Sequence, residues 1–254
     1  MYTPLSAVVI AKNEERTIGK CLDALRRVSD DIILVLDTLS TDHTQGIASQ
    51  KQVRIMPFDW QGYSAGKNYG ASLARYDWIL CLDADEVLDE TLISQLTSLQ
   101  AAQNSYFLMN IQTWFGNVAV RHSGWYPDWN IRLYNRTTMQ WSHDFVHEEL
   151  IANQDLQPVK MRGKINHFSF ANEAHMKEKY LYYARLRAAE WVRSQSSPPW
   201  YKWFAGPAFR FFRTFILKRG FLDGSTGYLI AKNEYILKKN ELRFFRQLLA
   251  SGAH

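Results

Sequence analysis

The chain has 254 residues, of which 46% are hydrophobic and 22% charged, the profile of an ordinary soluble globular protein with room for one large or two modest domains. Its two cysteines, Cys21 and Cys81, argue against a disulfide framework, and no Cys/His cluster has zinc spacing. The formal net charge of +5 favours acidic partners, and the aromatic content of 14%, with nine Trp and 13 Tyr, suits a sugar-stacking site or a surface at a membrane interface.

Leu5 to Ala11 is too short for a signal peptide, and no stretch reaches the roughly 18 uncharged apolar residues of a membrane span, so a cytoplasmic protein is expected, with peripheral contact to the inner face of the membrane. Ala7 to Ala11 reads as a buried strand. Asn13 to Val28 reads as a helix with Ile18, Cys21, Leu22 and Leu25 on one face. Ile32 to Leu36 is a second strand ending on Asp37, and Thr41 to Gln50 a short helix. Val53 to Met56 is a third strand, stopped by Pro57. Ser64 to Arg75 is a helix leading into the strand Trp78-Ile79-Leu80-Cys81-Leu82, and Asp89 to Gln103 is another, with Leu92, Leu96 and Leu99 at core spacing. Strands alternating with helices predict an α/β, doubly wound, mainly parallel sheet, whose ligands bind beyond the carboxyl ends of the strands. Asn13, Asp37 and Asp83 stand there.

From Tyr106 to about Phe170 the pattern shortens. Tyr106 to Met109 and Asn130 to Tyr134 look like antiparallel additions. Glu173 to Ser194 is a charged amphipathic helix carrying Tyr180, Tyr183, Leu186 and Trp191, ended before Pro198-Pro199. The tail from Trp200 interleaves aromatic and basic residues. Residues 1–170 are the expected catalytic domain, and 171–254 a helical, basic-aromatic extension that either contacts membrane or caps the domain.

The chemistry concentrates at Asp83-Ala84-Asp85-Glu86. Alternate residues of an extended strand share a face, so Asp83 and Asp85 can converge on one object, and two hard carboxylates suit Mg²⁺ or Mn²⁺ and, through it, a diphosphate. Three further elements accompany them in order: Ala11-Lys12-Asn13-Glu14-Glu15, Asp37-Thr38-Leu39-Ser40-Thr41-Asp42, and Gly66-Lys67-Asn68-Tyr69-Gly70. With these four elements the chain resembles the inverting nucleotide-sugar glycosyltransferases of the GT-A fold, the large family 2. It departs at Leu39 and His43, where relatives usually carry a small residue or glycine. Chemistry and resemblance together imply a UDP-sugar donor. Ala11, Asn13, Glu14 and Asp37 would line the base and ribose, Lys67 would meet the phosphates, Asp83 would face the ribose side, and Asp85, with Asp83 beside it, would bind the metal. Asp42 reads as a helix cap.

The second half carries Gly124-Trp125-Tyr126-Pro127-Asp128-Trp129, Ile131-Arg132-Leu133-Tyr134, Val146-His147-Glu148-Glu149, Arg219-Gly220-Phe221-Leu222-Asp223-Gly224 and Gly227-Tyr228. In these it resembles the bacterial lipopolysaccharide-core β-1,4-glucosyltransferases. That resemblance implies transfer of glucose to an inner-core heptose, and related branches use another glycan or a peptide. An inverting transfer needs a carboxylate base, for which Glu148, Asp144 and Asp128 are the candidates, Glu148 first. Trp125 and Trp129 are either sugar-stacking walls or core aromatics. A nucleic-acid partner is not expected, because the acidic edge at Asp83 and Asp85 repels phosphate and no RNA-binding signature occurs. A non-catalytic nucleotide-binding domain is the remaining alternative.

Overall fold

The computed structural model describes residues 2–142 and 149–251. Two compact units emerge: residues 1–111 with 128–167, and residues 112–127 with 168–254. The segment 112–127, which a single cut at 170 leaves with the first domain, clusters with the C-terminal helices instead.

From its N-terminus the chain runs β1 (Leu5–Ala11), α1 (Ile18–Leu25), β2 (Asp31–Asp37), α2 (Thr44–Ser49), β3 (Arg54–Phe58), α3 (Tyr63–Ser72), β4 (Trp78–Asp83), β5 (Glu86–Leu88), α4 (Glu90–Thr97) and β6 (Ser105–Phe115), whose last four residues belong to the second unit. After β7 (Val118–Ala119) come β8 (Asp128–Asn135), β9 (Met139–Trp141), β10 (Leu150–Ala152) and β11 (Gln157–Phe170). The main sheet has the order β3-β2-β1-β4-β8-β6-β11-β5, with β7 paired to the end of β6, and β9 and β10 form a separate antiparallel pair. β3, β2, β1 and β4 are parallel, whereas β8 runs antiparallel to both β4 and β6, so the doubly wound half is extended by an antiparallel half.

The parallel strands are apolar throughout because both faces are covered. Ala7, Val9 and Ala11 of β1 face one side with Leu34, Leu80 and Leu82, against Ile18 and Leu22 of α1 and Leu92 of α4. Val8 and Ile10 face the other with Ile33, Val35, Ile79 and Cys81, against Ala71 of α3. Both cysteines are free and buried, and burial pushes the Cys81 thiol up to about 12.

Where elements depart from the sequence reading, local hydrogen bonding explains the shift. The first helix starts at Ile18 rather than Asn13, because Asn13 adopts a left-handed backbone (φ 55°) and its Oδ1 accepts from the Thr41 N–H at 2.8 Å. β3 continues through Pro57 to Phe58: it is the edge strand, where a missing N–H is tolerated. α4 is capped by Asp89, which accepts from the Leu92 N–H at 2.9 Å, and ends at Thr97.

At the opposite end of the sheet, Asp31 joins three elements. It accepts from Ser6 Oγ at 2.5 Å and from the Arg75 N–H at 2.7 Å, and it pairs with Arg54 at 2.7 Å. Burial alone would raise its pKa, but these three partners outweigh burial and hold it below the usual carboxylate range.

The second unit contains α5 (Glu173–Arg193), α6 (Trp200–Phe204), α7 (Gly206–Phe212), a π-helical turn (Arg213–Leu217), a 3-10 turn (Gly220–Asp223) and the 27-residue α8 (Gly224–Ala250). α5 is capped by Asn172 and buries Met176, Tyr180, Ala184 and Ala188, a stripe at intervals of four. Tyr183 and Leu186 fall outside that stripe and are exposed. Asp223 accepts from the backbone N–H groups of Arg121 and His122 and from Ser123 Oγ, at 3.0–3.1 Å. Gly227 of α8 lies against the Gly220 carbonyl, and a Cβ there would come within 1.8 Å of that oxygen.

Two expected outcomes test these contacts. A Cβ on Gly70 of α3 would sit 2.4 Å from Val8 Cγ1 and 3.0 Å from Val35 Cγ2. Gly70→Ala therefore loses about 1–3 kcal/mol by overpacking, more than its helix-propensity gain of up to about 1 kcal/mol, and a urea midpoint equal to or above wild type contradicts this contact. Because the folded-state pKa of Asp31 is depressed, its contribution is present above the ordinary Asp value near 3.9 and is lost as pH falls through the folded value. Wild type should lose stability more steeply than Asp31→Asn below about pH 4; parallel urea-midpoint profiles would count against the assignment.

Candidate functional site

β1, β2 and β4 are parallel neighbours and end together, so Ala11, Asp37 and Asp83 reach the same edge of the sheet. Ala11 is buried in the last position of β1. Lys12 places its Nζ 2.8 Å from Oδ2 of Asp37, whose side chain is fully buried. The other Asp37 oxygen accepts from the Leu39 N–H at 2.8 Å. Beside it, residues 13–15 and 40–44 interlock. Asn13 N–H donates to Ser40 Oγ, Glu14 N–H to Thr44 Oγ1, and Glu15 N–H to Asp42, while Thr17 Oγ1 donates to the Glu14 carboxylate. Asp42 also accepts from the Thr44 N–H at 3.0 Å, but it is not the cap of α2: the N-cap position is His43, and Asp42 stands one residue before it and closes a local turn. Burial opposes its charge, but the bonds to Thr44 and to the backbone prevail and lower its pKa.

At the end of β4, Lys67 and Asp83 meet. Lys67 projects from α3, is 5% exposed, lies 4.4 Å from the centre of the Trp141 ring and places Nζ 3.8 Å from Asp83 Oδ1. Arg132 of β8 approaches the other oxygen of Asp83 at 3.6 Å. Asn68, next to Lys67, donates to the Trp141 carbonyl and accepts from the Trp141 N–H, so α3 and β9 are fastened side by side. The cavity they border has a volume of about 580 Å³ and is lined by Lys67, Asp83, Trp129, Arg132, Trp141 and Glu149, among others.

Glu86 has no exposed surface. It accepts from Arg132 at 2.6 Å and from the Asp83 N–H at 3.1 Å. Burial raises its pKa, and the adjacent Arg132 opposes the rise. Burial disfavours the charge on Arg132, but Glu86 and Asp83 outweigh it and hold the guanidinium firmly protonated. Asp85 is 7% exposed and lies 3.2 Å from His167 Nε2. Burial lowers the His167 pKa, yet the hydrogen bond and charge of Asp85, with Glu86 and Asp83 behind it, raise it to about 9.

Glu86, Arg132 and His167 are site residues that pattern reading missed. Glu86 follows Asp85 directly, and Arg132 is a lone cation inside an apolar strand; each was a visible signal. His167 comes from β11, where its register partner is Glu86. Asp128 opens β8, is exposed and donates its backbone N–H to Asn110; it is not among the residues lining the cavity. Trp129 lines the cavity with Lys160 Nζ 4.8 Å from its ring centre, whereas Trp125 belongs to the second unit and packs on Phe170. Asp144, His147 and Glu148 lie outside the described residues.

Among the described residues no three His, Cys, Asp or Glu gather as a metal cage. Asp85 still offers one hard carboxylate, which fits a divalent ion whose remaining ligands are water and substrate oxygens, while His167, held charged beside it, joins such a set only on giving up its proton. Asp83, drawn towards Lys67 and Arg132, faces the cations rather than that pair.

An α/β sheet with acids and cations assembled at the carboxyl edge of its parallel strands carries them where such sheets bind their ligands. The pattern of glycosyl transferase family 2 matches residues 6–154, more than half of the chain, and the protein belongs to that family. It carries the GT-A type of α/β fold with a C-terminal helical extension. It is similar to LpsC of Rhizobium meliloti, a lipopolysaccharide core biosynthesis glycosyltransferase, at 29% identity over 252 residues, covering 90% of this chain and 89% of that one. An uncharacterized glycosyltransferase of Rickettsia felis is 26% identical over 239 residues, covering 89% and 83%. The crystal structure of S. aureus TarS 1–349 aligns with a TM-score of 0.47 at 12% identity, over 99% of this chain and 93% of that chain.

Removing one member of the buried pair should cost more than removing both. Glu86→Ala takes from Arg132 the nearer of its two carboxylates and loses about 3–5 kcal/mol, while Glu86→Leu combined with Arg132→Met recovers most of it. A loss in the double variant equal to the sum of the losses of Glu86→Leu alone and Arg132→Met alone, read by chemical denaturation, would show that the two groups are not coupled.

Proposed function

We propose that this protein is an inverting transferase that moves glucose from a UDP-sugar to a heptose of the lipopolysaccharide inner core. The observation that carries the reading is the cavity at the end of β4, where Lys67 and Arg132 approach the two oxygens of Asp83. Two cations so spaced suit the oxygens of a diphosphate, Lys67 as a point charge and Arg132 as a planar fork. Asp37, with Lys12, Ala11 and the interlocked Asn13–Glu14 loop beside it, would receive the base and ribose. The similarity to LpsC and the motifs of the second half support the glycan acceptor.

In the reaction the acceptor hydroxyl oxygen bonds to the anomeric carbon as the bond from that carbon to the diphosphate breaks. The hydroxyl proton passes to a carboxylate, and UDP leaves. Glu148 is the first choice for the base, with Asp144 and Asp128 as alternatives. Glu149, the neighbour of Glu148, is a carboxylate that lines the cavity. Trp129 and Trp141 offer ring faces for sugars. Asp85, with His167 and with Asp83 at the nucleotide side, would hold Mg²⁺ or Mn²⁺, which when bound neutralises charge on the leaving diphosphate. Residues 1–170 would do this chemistry. A lipid-borne acceptor places the protein on the inner face of the cytoplasmic membrane, as a peripheral partner.

UDP with Mn²⁺ or Mg²⁺ should raise the melting temperature, by an amount equivalent to about 2.7 kcal/mol at a hundredfold excess over Kd. Asp85→Asn should remove the metal-dependent part of that shift, and purified protein should transfer glucose from UDP-glucose in a donor screen. No response to UDP in either assay would overturn the reading, and transfer of another sugar would correct the donor.

A further inference from the structure

We infer that residues 200–222 form a docking surface for an anionic lipid bilayer. This goes beyond the sugar-transfer reading and assigns the membrane contact to named residues; its test requires neither UDP nor acceptor.

The segment has an inner and an outer side. Arg210 turns inward, with Nε 2.6 Å from Glu234 of α8, and Thr214 is buried. The Phe211 and Phe215 rings pack on Tyr228 at 6.0 and 6.1 Å. The outer side leaves large apolar groups uncovered: Trp200 at 76% and Phe204 at 81% exposure, then Phe209, Phe212, Leu217 and Phe221. Phe209, Phe212 and Ile216 follow helical spacing, so their exposure forms one stripe rather than scattered points. Isolated exposed rings need no explanation, but a run of them marks an interaction surface.

Charge selects the occupant. From Trp191 to Leu222 the chain contains no Asp or Glu, and Arg213, Lys218 and Arg219 are exposed among the rings. A two-fold contact with a second copy would set these cations against one another across a self-complementary face. Anionic headgroups over an acyl layer match both features, since rings enter the boundary and cations meet phosphate. Among the described residues no helix is long and apolar enough to cross a membrane, so the contact is one of lying on the surface.

The full chain should co-sediment with vesicles of phosphatidylcholine and phosphatidylglycerol at least about tenfold more strongly than with phosphatidylcholine alone, and added salt should weaken it. Changing Arg213, Lys218 and Arg219 together to Gln should reduce binding about a hundredfold, at about fivefold per cation. Phe204→Ser with Phe212→Ser should also reduce it, and Tyr182→Ser with Leu186→Ser, at exposed positions of α5, should not. If the Phe variants lower the melting temperature, the Gln variants decide. Equal binding to both vesicle types, or wild-type binding by the Gln variants, overturns the proposal. So does a wild-type dimer that the same variants convert to monomer.

Discussion

The carboxyl edge of this sheet gathers acids in a place with little water, and the bond from Arg132 to Glu86, at 2.6 Å, makes that arrangement possible. Parallel strands all end on one side, so β2 and β4 deliver Asp37 and Asp83 there together, beside the end of β1. An unpaired buried carboxylate would be expelled or protonated. The antiparallel strand β8 supplies the answer. It returns beside β4 with Leu133 opposite Leu80, which brings Arg132 to the same end of the sheet as Asp83. Glu86 in turn accepts the Asp83 N–H, so one buried acid fixes both the backbone that presents Asp83 and the cation that faces it. The antiparallel half is therefore a source of positive charge as well as of extra strands.

The parallel half was legible because each strand is a short apolar run stopped by a polar residue, and because residues spaced at helical intervals separate the runs. Asp37, Asp83 and Asp85 could be placed at the edge from that alternation, and Lys67 from the resemblance to the family. Helix starts were less legible. Asn13 has a side chain that competes with the backbone for hydrogen bonds, and its contact with Thr41 lies 28 residues away in sequence, so no local pattern announces it. The pairing of Arg132 with Glu86 and of His167 with Asp85 was hidden for the same reason. Arg132 and Glu86 are 46 residues apart, and His167 reaches Asp85 only through the pairing of β11 with β5. Strand register decides these contacts, and register in an irregular antiparallel region does not follow from apolar runs.

The motifs of the second half divide into two kinds once seen in place. Gly220, Asp223 and Gly227 are structural: two glycines let a tight turn and a helix touch backbone to backbone, and Asp223 closes the amides of Arg121 and His122 and the hydroxyl of Ser123. The pattern that points to a narrow branch of the family is thus partly a description of how the second unit folds. Trp129 and Arg132, by contrast, line a cavity, and Arg132 also holds the buried Glu86.

The charges of the described site explain why a nucleotide would arrive with a metal. Asp37 has Lys12, Asp83 has Lys67 and Arg132, Glu86 has Arg132, and Asp85 has His167. Each acid already has a cation, so a bare diphosphate would add negative charge to an edge that has little to spare. In the proposed reading, a diphosphate that brings a divalent ion to Asp85 changes that balance far less, and its oxygens can share Lys67 and Arg132 with Asp83 instead of competing for them. In that reading the same carboxylates that would repel phosphate alone favour a metal-bound donor, which reconciles an acidic strand edge with a phosphate-bearing substrate.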